Sequence, residues 1–168
     1  SYARKRNKNL HMVCITGSSG KTSLKEWTGK VLSEKVNTYV NPGNFNNEVG
    51  MPLSLVNMPL NTKVCILELG MNSRGEIKKL AKISSPTISV ITNIGLAHIG
   101  NFEKPKDIAK EKASIYNYLN KKSFALIPND SEYSKLLAKK ASLKTQNIIS
   151  FGVKGKSDAS FRRINENK

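Results

Sequence analysis

The sequence predicts an α/β fold, a mostly parallel sheet flanked by helices on both faces, with a phosphate-binding loop after its first strand. Two observations predict the layers. Short apolar runs alternate with stretches of helical spacing along nearly the whole chain, and the polar clusters fall directly after the apolar runs, where an open parallel sheet gathers ligand groups. A third predicts the loop: GSSGKTS at 17–23 stands between a buried run and an amphipathic one.

The elements follow in order. HMVCIT at 11–16 reads as the first strand, and 21–35 as a helix with Leu24, Trp27, Val31 and Leu32 at helical spacing. VNTYV at 36–40 returns to a strand. After an Asn-rich loop, VGMPLSLVNM suggests a short helix and KVCILELG at 63–70 a buried strand. A helix over 74–83, a strand over 87–94, a helix over 105–120, a strand over 123–128, a helix over 131–141 and a strand over 147–153 complete the series. No internal repeat or low-complexity tract interrupts it. On this scaffold 17–22 follows the first strand, 41–50 the second, 68–73 the third, 93–100 the fourth, and Asn129 and Asp130 the fifth, so groups distant in sequence converge on one crevice.

Bulk properties bound the function. With 168 residues the chain suits one domain, at roughly 100–200 residues per domain. It begins at Ser1 without an initiator Met and ends on the polar SDASFRRINENK, which suggests a piece of a longer protein. No apolar run approaches the roughly 20 residues of a membrane span, and the basic start leads straight into a strand instead of an export signal, so a cytoplasmic location is expected. Cys14 and Cys65 lie in apolar runs without zinc-site spacing and read as core residues. The net charge of +16 favours an anionic partner. Most lysines, however, spread over helix faces, only ARKRNK at 3–8 is a true cluster, and the aromatic interleaving of a single-strand nucleic-acid surface is absent.

The loop itself departs from the widespread nucleotide-binding pattern, which puts a glycine five residues before the Gly of Gly-Lys-Thr. Here that position is Ile15, and the first glycine is Gly17. The context still suits phosphate, because backbone N–H groups and a helix N-terminus meet at this point. Ser18, Ser19 and Gly20 can form the cradle, Lys21 can place a positive charge near the β and γ phosphates, and Thr22 can offer a hydroxyl to Mg²⁺. Glu68 ends an apolar strand and is either a strand-end acid satisfied by neighbours or a metal ligand. His98 is either structural or a ligand at the rim it shares with Asn93. On a helix over 105–120, Ile108, Lys112, Ile115 and Leu119 share one stripe, whereas Lys106 and Lys110 point away, so Lys112 faces inward. Its stem either threads the core and leaves the ammonium at the rim, or the amine has a buried role.

ITGSSGKTS, NPGNFNNEVGMPLSLV, ELGMNSRGEI and TNIGLAHIGNFEKPKDIAKEKASIY resemble, in order and spacing, the ATP-binding central domain of the Mur ligases, which build the peptide stem of peptidoglycan. That family has a short loop, Thr-Gly-Ser-x-Gly-Lys-Thr, in which Ile15 need not be glycine. The likeness covers roughly 10–153, and NFNNEVGMP with ELGMNSRGEI most resembles the members that add D-Ala-D-Ala to UDP-N-acetylmuramoyl-tripeptide. It implies ATP-dependent amide formation: the peptide carboxylate attacks the γ-phosphate to give an acyl phosphate, and the amine of D-Ala-D-Ala displaces phosphate.

By the same resemblance Gly17, Ser18, Ser19, Gly20, Lys21, Thr22 and Ser23 hold the ATP phosphates. Thr22 and Glu68 hold one Mg²⁺, Glu68 and His98 serve a second, and Lys21, His98 and Lys112 are the catalytic set. Lys112 is expected to carry a carbamate that joins the second metal site. Asn44, Asn46 and Asn47 lie in the loop that faces the muramyl peptide, or else simply form a hydrogen-bonded turn. Residues 1–9 are expected to be the remnant of a linker from an N-terminal domain, and 10–168 a central domain incomplete at its C-terminal end, inactive alone. A monomer without a nucleic-acid partner is expected. The rival readings are another Mur ligase, a folylpolyglutamate synthase-like ligase, a basic nucleic-acid-binding module, and a bare nucleotide-binding module.

Overall fold

The structure is a computed structural model that describes residues 7, 9–95, 101–102, 104–153 and 156–160. Among the described residues seven strands form one sheet: β1 (His11–Thr16), β2 (Thr38–Val40), β3 (Val64–Glu68), β4 (Ile88–Ile91), β5 (Phe124–Pro128), β6 (Asn147–Gly152) and β7 (Ala159–Ser160). Their order is β2-β3-β1-β4-β5-β6-β7, and every pairing is parallel. The helices are α1 (Lys21–Ser33), α2 (Gly50–Asn57), α3 (Glu76–Ser84), α4 (Pro105–Ala113) and α5 (Ser134–Ser142), with a 3₁₀ turn over Ser114–Tyr118. The expected fold class is the observed one.

The order positions the site. β1 lies between β3 and β4, so the chain leaves β1 in one direction to build β2 and β3 and then crosses to β4 on the other side. The loops after β1, β3 and β4 therefore open around a single switch point at the carboxyl edge. Register fixes the depth of each loop: Ile15 pairs with Glu68 and with Val90, so the carboxylate stands level with the last residues of β1.

Alternation along β1 sends Met12 and Cys14 to one face and Ile15, with the half-buried Val13, to the other. The first face meets Met51 and Leu55 of α2, Ile77 and Leu80 of α3, Ile108 of α4, Ile115 and Tyr116 of the 3₁₀ turn, and Leu137 of α5. On the second, Ile15, Ile66 and Val90 pack with Leu24 and Leu32 of α1. Both cysteines are buried and outside any disulfide, as read from the sequence. Burial, reinforced by neighbouring Cys14, pushes the Cys65 thiol well above its ordinary range.

Three local expectations change. In α1, Trp27 and Val31 are 73% and 65% exposed, while Lys25 and Gly29 are buried. The helix turns its smallest residue to the sheet because it lies so close to β2: a Cβ on Gly29 would meet Val40 Cγ2 at 2.5 Å. The helix expected over 105–120 is α-helical only to Ala113 and then tightens to 3₁₀. The stripe survives the tightening, since Ile108, Lys112, Ile115 and Leu119 are all buried. The polar C-terminal stretch contributes β7, a two-residue edge pairing with Phe151 and Gly152, which carries too little apolar pattern to read as a strand.

Candidate active site

The loop between β1 and α1 is shaped by two glycines with positive φ, Gly17 at 152° and Gly20 at 74°. At Gly17 a Cβ would also run into the Thr92 hydroxyl after β4. Asn93 then fastens the loop: its side-chain carbonyl accepts the N–H groups of Ser18 at 3.1 Å and Ser19 at 3.0 Å, and its amide donates to Ser19 Oγ at 2.7 Å. Thr92 Oγ1 donates to the Ser19 carbonyl at 2.7 Å. The first helical bond of α1 runs from Leu24 N–H to the Gly20 carbonyl at 3.0 Å. The N–H groups just before Leu24 thus open at the helix mouth with no helical acceptor, as anion binding requires. Two of the cradle amides expected from the sequence, Ser18 and Ser19, are occupied by Asn93 in this arrangement.

Glu68 sits at the centre, only 3% exposed. Thr22 Oγ1 donates to its Oε2 at 2.7 Å and Asn46 Nδ2 to its Oε1 at 2.9 Å, while its own N–H goes to Asn41 Oδ1 at 3.0 Å. Gly70 makes room for Asn46, since a Cβ there would lie 2.9 Å from the Asn46 amide carbon. Opposite the carboxylate, Lys21 Nζ and Lys112 Nζ both donate to the Gly17 carbonyl, at 3.0 and 2.9 Å. Lys112 is 1% exposed, so the rim position open to it on helix geometry alone is not the one it takes. Burial first, and then the Lys21 cation, lowers its pKa from 10.5 to about 7, with Glu111 partly opposing.

These groups enclose a cleft of about 220 Å³ lined by Gly17, Lys21, Asn46, Asn47, Glu68, Gly70, Met71, Asn72, Glu76 and Lys112. A second hollow of about 420 Å³ shares Asn47, Gly70, Asn72 and Glu76 and runs on to Glu48, Arg74 and Lys79, with Lys79 and Glu48 paired at 2.9 Å on its wall. The donors suit Mg²⁺, a hard cation that takes oxygen ligands and keeps several waters. A threonine hydroxyl and a carboxylate oxygen meet beside the loop, and among the described residues no cluster of three His, Cys, Asp or Glu forms a protein-only cage.

The three asparagines separate. Asn46 enters the site through Glu68. Asn47 Oδ1 accepts the N–H groups of Val49 and Gly50 at the start of α2, which makes it the hydrogen-bonded turn, though it also lines the cleft. Asn44 is exposed. Ser23, at the start of α1, is exposed as well. His98 lies outside the described residues. Sequence reading passed over Asn41 as an organiser of Glu68, Lys25, and Glu111, whose Oε1 accepts the Ile77 N–H at the start of α3. Lys25 had a signal, because it is three residues past Thr22 on the same helical face. Glu111 had none.

Residues 15–168 match a family described as the Mur ligase middle domain. Over 131 residues the chain is 41% identical to a UDP-N-acetylmuramoyl-tripeptide–D-alanyl-D-alanine ligase of Treponema pallidum, covering 78% of this chain and 28% of that protein. A crystal structure of MurF from Acinetobacter baumannii superposes with a TM-score of 0.85 at 35% identity, over 90% of this chain and 33% of that one. MurF ligase from Thermotoga maritima in complex with ADP follows at 0.77 and 31%, over 91% and 35%. The chain thus spans about a third of the length of these relatives. With strand order, loop and sequence in agreement over nearly its whole length, it belongs to the Mur ligase middle-domain family.

Proposed function

We propose that the protein containing this chain is an ATP-dependent ligase that joins D-Ala-D-Ala to UDP-N-acetylmuramoyl-tripeptide in peptidoglycan synthesis. The name of the Treponema pallidum relative supplies the substrates. The observation that carries the reading is the Thr22–Glu68–Asn46 chain of hydrogen bonds facing two lysine amines across one cleft. Phosphates at the mouth of α1 would draw Lys21 from the Gly17 carbonyl toward the transferred group. Mg²⁺ held by Thr22 and Glu68 would neutralise the charge that a carboxylate meets in approaching a polyanion. The peptide carboxylate forms a bond to the γ-phosphorus as the bond to ADP breaks; the amine then attacks the acyl carbon, and phosphate leaves. The 420 Å³ hollow beside the cleft is the approach for the muramyl peptide.

The test is phosphate release by the full-length protein with ATP, UDP-muramyl tripeptide and D-Ala-D-Ala. Release that depends on all three is expected, and release indifferent to D-Ala-D-Ala would sink the specific assignment. In the same assay Lys21→Ala and Glu68→Ala should each lower turnover by about 10²-fold or more while melting near the unsubstituted protein. Near-normal turnover removes that residue from the site.

Lys112 belongs to the same reading. A neutral buried amine can add CO₂, and the carbamate is an anion suited to a second Mg²⁺ with His98. Lys112→Ala should abolish activity, and short carboxylates should restore part of it. Unaltered activity eliminates the carbamate. We also place the protein in the cytoplasm as a monomer; no helix among the described residues is long and apolar enough to cross a membrane.

A further inference from the structure

Lys25 has no part in the chemistry above, yet its side chain is fully buried. An ammonium is expensive to bury unless all three protons find acceptors. Here two do and a carboxylate answers the charge: Nζ donates to the Asn41 carbonyl at 3.0 Å and to the Gly43 carbonyl at 2.9 Å, and forms an ion pair with Glu26 Oε1 at 3.1 Å. Both carbonyls belong to the loop that follows β2. Its other backbone ties run to β3 and the residues just after it, Asn41 N–H to the Ile66 carbonyl and Gly70 N–H to the Asn46 carbonyl, while Asn41 Nδ2 to the Phe45 carbonyl closes the loop on itself.

The same loop delivers Asn46 to Glu68, and Asn41 receives the Glu68 N–H. Lys25 stands on α1 at three residues from Thr22, so both project from one face of the helix. That helix thus reaches Glu68 twice, directly through Thr22 and indirectly through Lys25 and the loop. For stability alone an apolar side chain of similar length would serve at least as well, since buried charge seldom adds net stability.

We propose that Lys25 is a positioning residue: it ties the helix behind the phosphate loop to the 41–47 loop, and so sets Asn46 and Glu68 relative to Thr22. The catalytic consequence rests on the ligase reading above; the tie itself does not.

The test uses full-length protein carrying Lys25→Met, with Lys25→Gln, which can reach one carbonyl, as the second variant. Amide hydrogen exchange should quicken about tenfold or more over 41–50 in Lys25→Met and by less in Lys25→Gln, with β1 and β4 unchanged. In turnover, Lys25→Met should lower kcat/KM roughly tenfold, but less than about threefold when Asn46 is already alanine, because the two act through one contact. Unchanged exchange over 41–50, loosening spread over the whole domain, additive effects of the two substitutions, or failure of both Lys25 variants to fold would each overturn the proposal. If the unsubstituted protein shows no D-Ala-D-Ala-dependent turnover, the activity reading fails and exchange alone decides the tie.

Discussion

Lys112 shows how a helix position becomes a chemical one. Its stripe on α4 carries it inward, and the shared Gly17 carbonyl sets its amine beside that of Lys21. With the folded pKa near 7 and the ordinary value at 10.5, the unfolded chain holds the extra proton between those limits. Unfolding then takes up a proton, so stability rises with pH from about 7 to about 10.5, while below 7 both states are protonated and the penalty is full. At about 1.4 kcal/mol for each tenfold change in proton affinity, the rise reaches on the order of 5 kcal/mol. Urea denaturation of the metal-free protein across this range should show the rise, and Lys112→Met should flatten it. An equal slope in the variant would assign it to other groups.

Among the elements, α1 is the most constrained. Its N-terminus is the proposed anion mouth, Thr22 and Lys25 face the site loops, and Gly29 lets the axis approach β2. Gly29→Val would bring branched carbons against Val40 and force the helix off the sheet. A loss of about 1–3 kcal/mol is expected, the usual range for overpacking, read as a lower urea midpoint at unchanged slope. Because a shift of α1 moves Thr22 as well, turnover should fall with it. Unchanged stability would mean that Val40 turns aside freely.

For the molecule as a whole, the proposed phosphate and metal groups lie in a chain that spans a third of its relatives' length. The 168-residue chain by itself should therefore bind ATP through triphosphate and Mg²⁺ alone and ligate nothing. Calorimetry should find inorganic tripolyphosphate with Mg²⁺ about as good a ligand as ATP; tight binding that depends on adenine would contradict this. The cavity of about 300 Å³ beside Lys121 and Lys144 takes no part, since it lies at the amino ends of β5 and β6, across the sheet from the loops.

The amino-acid sequence by itself determined the alternation of strands and helices, the loop at 17–23, the inward stripe of Lys112 and the placing of Glu68 at a strand end. Each of these rests on local periodicity or on a motif whose chemistry is written in consecutive residues. Periodicity misjudged α1, where Trp27 and Val31 suggested the buried face. Close approach to β2 selected Gly29 and Lys25 instead, and no pattern within one helix records the distance to a strand. Nor could adjacency rank Asn44, Asn46 and Asn47; only the register of β3 against β1 and the vacancy at Gly70 bring Asn46 to the carboxylate. Tertiary structure alone decided that Asn93 clamps the loop and that Lys112 joins Lys21 at one carbonyl, because the Asn93 and Lys112 contacts join residues 74 to 95 positions apart, where burial and charge act across space and not along the chain.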